Sequence, residues 1–136
     1  MTQNEKDLLL KDLCARLPWD TKFPITWPDP ITSEPIETIG TISCVNRYGI
    51  VSFVWDYEGE EILEKNSIHI KDVKPYLFPM SSMTEEQNLE YLRTCLGGNA
   101  GVPTLASFEW CDKNHFDYRG LIPMRLAIDA TGKNIY

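Results

Sequence analysis

Two runs rich in β-branched and aromatic residues, IETIGTISCV (36–45) and GIVSFVWDY (49–57), constrain the fold more than any other feature of the chain. Such side chains favour the pleated, half-buried surface of a strand. The link between the runs is short and contains asparagine and glycine, which is typical of a tight turn, so the sequence predicts a β-hairpin. Along the second arm, Val51, Phe53 and Trp55 face one way and the residues between them face the other, so at least one face is expected to be buried.

Residues 2–17 predict an amphipathic helix. Thr2 and Glu5 have the spacing of a capping box, in which each side chain bonds the backbone amide of the other residue. The apolar residues that follow recur at the three- and four-residue intervals of a helix face. Pro18 disfavours helical geometry in the residue before it, so we expect the helix to end there.

Two further helices are expected in the second half of the chain. The first covers 81–98, where Thr84 begins a capping box and paired glycines end the segment. The second begins near Pro103, a favourable residue for a first helical position, and continues through LASFEWCDKNHF. The apolar face expected of this third helix consists of Leu105, Phe108 and Cys111, with His115 as an additional member.

The remaining segments complete an α+β fold. SIHIKDVK (67–74) predicts a third strand or sheet edge, and the C-terminal tail predicts one short strand or turn of helix. A length of 136 residues suits one buried core, so residues 1–136 are expected to form a single domain. We predict a small antiparallel β-sheet of about 3–5 strands packed with an N-terminal helix and two C-terminal helices.

A proline-rich segment precedes the hairpin. Residues 18–35 hold five of the nine prolines, so any strand among them must be short or at a sheet edge. The segment either packs over the core as an irregular cover or forms part of a binding surface, and both interpretations remain open. The aromatic residues that would form such a surface are Trp19, Phe23 and Trp27. With Trp55 they could also line a pocket or belong to the core.

The chain is acidic, with a formal net charge of −7. Residues 1–66 contain 12 acidic and 6 basic residues, whereas residues 67–136 contain 8 and 7. Direct binding of nucleic acid is not expected, because it needs a basic footprint. Five acids fall between positions 56 and 64, where we expect a solvated hairpin tip with Gly59 as a turn residue. The alternative is an interaction patch formed by Asp56, Glu58, Glu60 and Glu61.

The heptad NHFDYRG (114–120) is the strongest candidate for a catalytic or ligand site. Four of its side chains can act as acids, bases or anion ligands: His115, Asp117, Tyr118 and Arg119. Neighbours at a helix end usually point in different directions, however. In the structural interpretation His115 lies in the last helical turn, Asp117 bonds local amides, and Phe116 and Tyr118 pack inward. Ligand binding and catalysis remain open as alternatives.

Other cofactor and catalytic patterns are missing from the sequence. The two histidines, His69 and His115, are far apart, and no H-x-x-H, G-x-S-x-G, P-loop or dinucleotide-binding pattern occurs. We therefore predict no metal, no cofactor and no assigned catalytic residue. The four cysteines form no C-x-x-C pair, which fits a reducing cytoplasm. No apolar window of about 18 residues occurs, so no membrane association is expected.

The segments KDLLLKDLCARLP, KPYLFPMSSMTEEQ and NHFDYRGLIPMRLAIDATGKNIY resemble a family of small proteins encoded in phages and other mobile elements of gut anaerobic bacteria. The resemblance covers both ends and the middle of the chain. It implies a mobile-element accessory protein in a cytoplasmic setting, and it supplies no catalytic residues. The family pattern has glycine after LIPM, where this chain has Arg125, and an LPYG-like stretch where it has LPWD.

Three functional hypotheses follow. The first is a non-enzymatic interaction protein of a phage or mobile element that acts on a host factor or in counter-defence. It would use the aromatic proline-rich segment and the acidic hairpin tip. The second is a small-molecule-binding protein or small enzyme centred on residues 115–119. The third is a structural component of a larger assembly. The partner is therefore expected to be a protein or a small ligand, and the oligomeric state is left open.

Overall fold

The computed structural model describes the backbone of residues 1–29, 31–57, 60–97 and 101–136, and the side chains of the same residues except 56, 57 and 60–65. Its helices and strands are α1 (Gln3–Arg16), β1 (Lys22–Pro28), β2 (Pro35–Val45), β3 (Ile50–Tyr57), β4 (Glu60–His69), β5 (Tyr76–Pro79), α2 (Glu85–Thr94), α3 (Leu105–Lys113), β6 (Phe116–Asp117) and β7 (Ile128–Asp129). The predicted α+β class is confirmed.

The first four strands form an antiparallel sheet in the order β1-β2-β3-β4. The predicted hairpin is confirmed: Val45 pairs with Val51, and the Asn46 amide donates to the carbonyl of Ile50 at 3.0 Å. The proline-rich segment, which we described as irregular, contributes the seven residues of β1. β1 lies at the sheet edge, where prolines without an amide hydrogen are tolerated.

The third predicted strand was placed too late in the chain. β4 covers Glu60–His69, and residues 70–72 form a short 3₁₀ turn. Glutamate and lysine are poor strand residues, yet the acidic run, which we expect to form a solvated hairpin tip, contributes the first residues of β4. Pairing with β3 overrides that local preference, because strand propensity depends strongly on neighbouring strands.

Each helix begins at a threonine that caps it. Thr2 and Thr84 form capping boxes with Glu5 and Gln87, as predicted from their spacing. In α3 the cap is Thr104, which bonds the amide of the residue three positions later and so delays the start of this helix until after Pro103.

The main core lies between α1 and the four-stranded sheet, and α1 contributes Leu9 and Leu13 to it. A second, parallel sheet has the order β6-β5-β7 and includes the short C-terminal strand that the tail predicted. In this sheet β6, which follows α3, pairs with β5 from the middle of the chain. Within the described ranges no helix is long and apolar enough to cross a membrane.

Arg125 has a backbone φ of +62°, in the left-handed region that favours glycine. Arg125→Gly is expected to raise the free energy of unfolding by about 0.5–1 kcal/mol, because relief of backbone strain exceeds the added freedom of the unfolded chain. Urea unfolding measures the change. The matched control, Met124→Gly, should instead destabilise, since Met124 does not have a positive φ.

Candidate functional site

One face of α1 buries charge alongside leucine. Leu9, Asp12, Leu13 and Arg16 follow the spacing of a single helix face, and all four are almost completely buried. Arg16 Nε donates to Asp12 Oδ2 at 2.8 Å, and Arg16 Nη2 donates to the carbonyl oxygen of Phe116 at 2.7 Å. Burial by itself lowers the pKa of Arg16, but the charge and hydrogen bond of Asp12 raise it overall. Arg16 therefore remains charged inside the protein.

Two residues from the end of the chain complete this ionic cluster. Arg119 Nη1 donates to Asp12 Oδ1 at 2.8 Å, so both carboxylate oxygens of Asp12 accept a hydrogen bond from an arginine. Oδ1 of Asp112 lies 3.8 Å from Arg119 Nη1 and 3.9 Å from Arg16 Nε. Two carboxylates thus face two guanidinium groups, and the formal charges of the cluster balance. Balance of this kind is what makes buried charge tolerable.

Tyr118 lies beside the cluster, between Phe108 and Arg119. Burial, and then the nearby negative charge of Asp112, raise the pKa of Tyr118 to about 12. Its ring stacks on Phe108 with centroids 5.1 Å apart and planes inclined by 24°. The guanidinium carbon of Arg119 lies 4.5 Å from the ring centroid. Phe108, Tyr118 and Arg119 therefore form one ordered stack.

The stack borders an open groove of about 610 Å³ between α1 and α3. The residues that line it are Lys11, Leu105, Phe108, Glu109, Asp112, Tyr118 and Arg119. Burial raises the pKa of Asp112, while Arg16, Tyr118 and Arg119 act to lower it. The groove thus combines apolar side chains from α3 with charged and aromatic groups held by the ionic cluster.

The predicted apolar face of α3 is wrong for two of its members. Leu105 is 87% exposed and Phe108 is 38% exposed, whereas Cys111 is buried as expected. The face that α3 turns inward carries Ser107 and Asp112 instead. Ser107 has a specific reason to be there, because its hydroxyl donates to the carbonyl of Thr94 at 3.1 Å. Helical spacing could not show which face would be buried.

The side chains of the heptad 114–120 diverge. His115 does not lie in the last helical turn as predicted: α3 ends at Lys113, and His115 follows the cap residue Asn114 with φ +64°. Its ring stacks on Tyr136 at 3.6 Å rather than facing the groove. Asp117 accepts hydrogen bonds from two amides of the following turn, which confirms its predicted local role.

Two members of the heptad, Tyr118 and Arg119, therefore reach the groove, and His115 and Asp117 do not. Phe116 is buried against the ring of Trp110, with centroids 5.5 Å apart, as the structural interpretation predicted. Four chemically active side chains in sequence do not form a common pocket here.

The aromatic residues of the proline-rich segment are also separated in space. Phe23 is completely buried in the core, which removes it from any binding surface. Trp19 lies near Lys113, whose Nζ is 5.8 Å from the ring centroid. Trp27 contacts Trp55 at 4.5 Å, and both line a cavity of about 290 Å³ at one end of the sheet. Trp27 and Trp55 thus line a pocket, as one interpretation proposed.

The acidic residues 56–64 contribute little to this description. The backbones of Asp56 and Glu61 pair across β3 and β4, and Glu60 pairs with the neighbouring Tyr57. The side chains of Asp56, Glu60 and Glu61 are outside the described part of the chain, and so is the whole of Glu58.

Sequence reasoning missed the centre of the site, which consists of Asp12, Arg16 and Asp112. A signal existed for the first two, because an acid and a base four residues apart lie on the same helical face as Leu9 and Leu13. Nothing in the sequence around Asp112 distinguished it from an exposed helical aspartate.

The chemistry that the groove offers is recognition by fixed rings and charges. Cys111 is completely buried, and burial raises the pKa of its thiol to about 12, so the thiol is protonated at neutral pH. All four cysteines are free. No family model, no curated protein and no solved structure matches the chain.

Proposed function

We propose that the protein is a non-enzymatic interaction protein of a phage or other mobile element, acting in the cytoplasm of a bacterial host. Its partner is a host protein, and the groove between α1 and α3 is the docking site. One observation carries this proposal: α3 exposes Leu105 and Phe108 at the groove while it buries Ser107 and Asp112. Large apolar side chains exposed around a concave surface typically mark a contact site.

The composition and rigidity of the groove support protein recognition. Tyrosine and arginine are enriched among the residues that dominate binding energy at protein interfaces. Tyr118 is held between Phe108 and Arg119, and Arg119 is held by Asp12, so little side-chain entropy is lost when a partner docks. The second hypothesis, an enzyme or ligand site built from His115, Asp117, Tyr118 and Arg119, has less support because two of the four side chains point elsewhere.

Site-specific photocrosslinking tests the proposal. Leu105 and Ile31 are exposed to nearly the same degree, 87% and 91%, but Ile31 does not line the groove. Each is replaced in turn by the photoreactive residue p-benzoylphenylalanine, and the protein is irradiated in an extract of gut anaerobic bacteria. We expect a discrete protein adduct from position 105 and none from position 31.

A second substitution separates docking from chance proximity. Phe108→Ser in the protein labelled at position 105 should abolish the adduct, because Phe108 supplies the apolar wall of the groove. Circular dichroism checks that this variant remains folded. The proposal is rejected if position 105 gives no adduct, or if positions 31 and 105 capture the same proteins equally.

A further inference from the structure

We infer that the groove recognises a carboxylate of its protein partner, carried by an aspartate or glutamate that is flanked by apolar residues. This inference rests on the proposed function and specifies the chemistry of the docked segment. Two features of the groove support it: a guanidinium held in a fixed orientation, and the apolar rim.

The guanidinium of Arg119 is positioned in advance. Its Nη1 donates to Asp12 Oδ1 at 2.8 Å, and the guanidinium lies over the ring of Tyr118. Among the described residues, none accepts a hydrogen bond from Nε or Nη2 of Arg119. The Arg119 side chain is 16% exposed where it lines the groove. A guanidinium edge with two free N–H groups matches the two oxygens of a carboxylate.

The two acids closest to Arg119 approach its Nη1 atom and leave the Nε and Nη2 edge free. Asp12 is completely buried, and each of its oxygens accepts a hydrogen bond from an arginine. Asp112 is 6% exposed, and its Oδ1 lies 3.9 Å from Arg16 Nε and 3.8 Å from Arg119 Nη1. Outside the balanced cluster, the groove carries one exposed base, Lys11, and one exposed acid, Glu109.

The rim explains why the carboxylate should have apolar neighbours. Leu105 and Phe108 stand beside Arg119 along the groove, so a segment that places a carboxylate on Arg119 brings its adjacent side chains onto them. The whole chain has a formal net charge of −7, which disfavours an acidic segment over most of the surface.

Three capped tripeptides serve as probes: acetyl-Leu-Glu-Leu-amide, its glutamine analogue and its lysine analogue. Each is titrated into the ¹⁵N-labelled protein, and chemical shifts of Phe108 and of the Arg119 side chain are followed. We expect the glutamate peptide to bind about tenfold more tightly than the glutamine peptide, and the lysine peptide to bind most weakly. Equal or tighter binding of the lysine peptide would overturn the inference.

Two exposed charges provide a matched pair of variants. Lys11→Gln should weaken binding of the glutamate peptide about threefold, and Glu109→Gln should strengthen it by a similar factor. The opposite pattern would show that the groove prefers a cation. Neither residue belongs to the buried cluster, so both variants should fold normally.

Sodium acetate provides the last comparison, since it carries the carboxylate without apolar neighbours. Acetate that binds as tightly as the glutamate peptide would mean that the site takes small anions and would contradict a docked segment. A crosslink at position 105 without any preference for the glutamate peptide would defeat this inference and leave the proposed function intact.

Discussion

Asp12→Ala is expected to lower the free energy of unfolding by about 3–5 kcal/mol, because it leaves two arginines in a desolvated site without their shared carboxylate. Asp12 accepts hydrogen bonds at 2.8 Å from both Arg16 and Arg119, and it is inaccessible to solvent. Asp112 is the remaining acid, but its Oδ1 lies 3.8–3.9 Å from the two guanidinium groups. It does not replace the lost hydrogen bonds.

Chemical denaturation followed by tryptophan fluorescence measures this loss. Asp7→Ala is the matched control: it removes an exposed acid from the same helix, and we expect a change within about 0.5 kcal/mol. The double variant Asp12→Leu, Arg16→Met should regain much of the stability, since apolar residues of similar size often replace a buried ion pair. If Asp12→Ala lowers the free energy of unfolding by less than about 1 kcal/mol, the two arginines do not depend on the carboxylate of Asp12.

The stability of the protein is expected to fall as the pH is lowered from about 6.5 to 4, through His115. Burial, and then the positive charge of Arg16, lower the pKa of His115 to about 4. In the unfolded chain the imidazole binds a proton near pH 6.5. Between pH 6.5 and about 4 the unfolded state binds more protons than the folded state. The stabilising contribution of His115 is therefore complete above pH 6.5 and is lost as the pH falls to about 4.

We expect this contribution to be about 1–2 kcal/mol, less than the full shift implies, because the ring is not completely buried. Thermal unfolding from pH 7 to 4 measures it. His115→Asn removes the titrating group and tolerates the positive φ, so its unfolding temperature should depend less on pH. His69→Asn serves as the control and should retain the dependence. Identical pH profiles for wild type and His115→Asn would refute the assignment.

The comparison with the variant is necessary because other groups titrate nearby. Asp20 and Lys22 act on His115 in opposite directions, the first raising its pKa and the second lowering it. Burial raises the pKa of Asp112, which therefore contributes stability at the acid end and partly offsets the loss. The difference between the two pH profiles isolates the imidazole.

Much of the fold could be predicted because its signals are local. Thr2 and Thr84 define their helices through a side chain only three residues away. The hairpin likewise depends on adjacent runs and a short turn. β1 was harder to predict, since its prolines are compatible with a strand only at a sheet edge, and edge position is a property of the whole sheet.

The candidate site could be predicted only in part, because its central contacts are not local. Tyr118 and Arg119 were identified as capable side chains, but the partners that give them a role are Asp112 and Asp12. The exposure of Leu105 depends on Ser107 bonding the end of α2. A pattern within one helix does not contain that information.

The bond between Asp12 and Arg119 joins residues 107 positions apart in the chain. At ribosomal speeds α1 is therefore made roughly 5–20 s before the residue that completes the groove. During that interval Asp12 and Arg16 have each other but neither Arg119 nor the Phe116 carbonyl. The groove between α1 and α3 is therefore complete only after Arg119 has been synthesised.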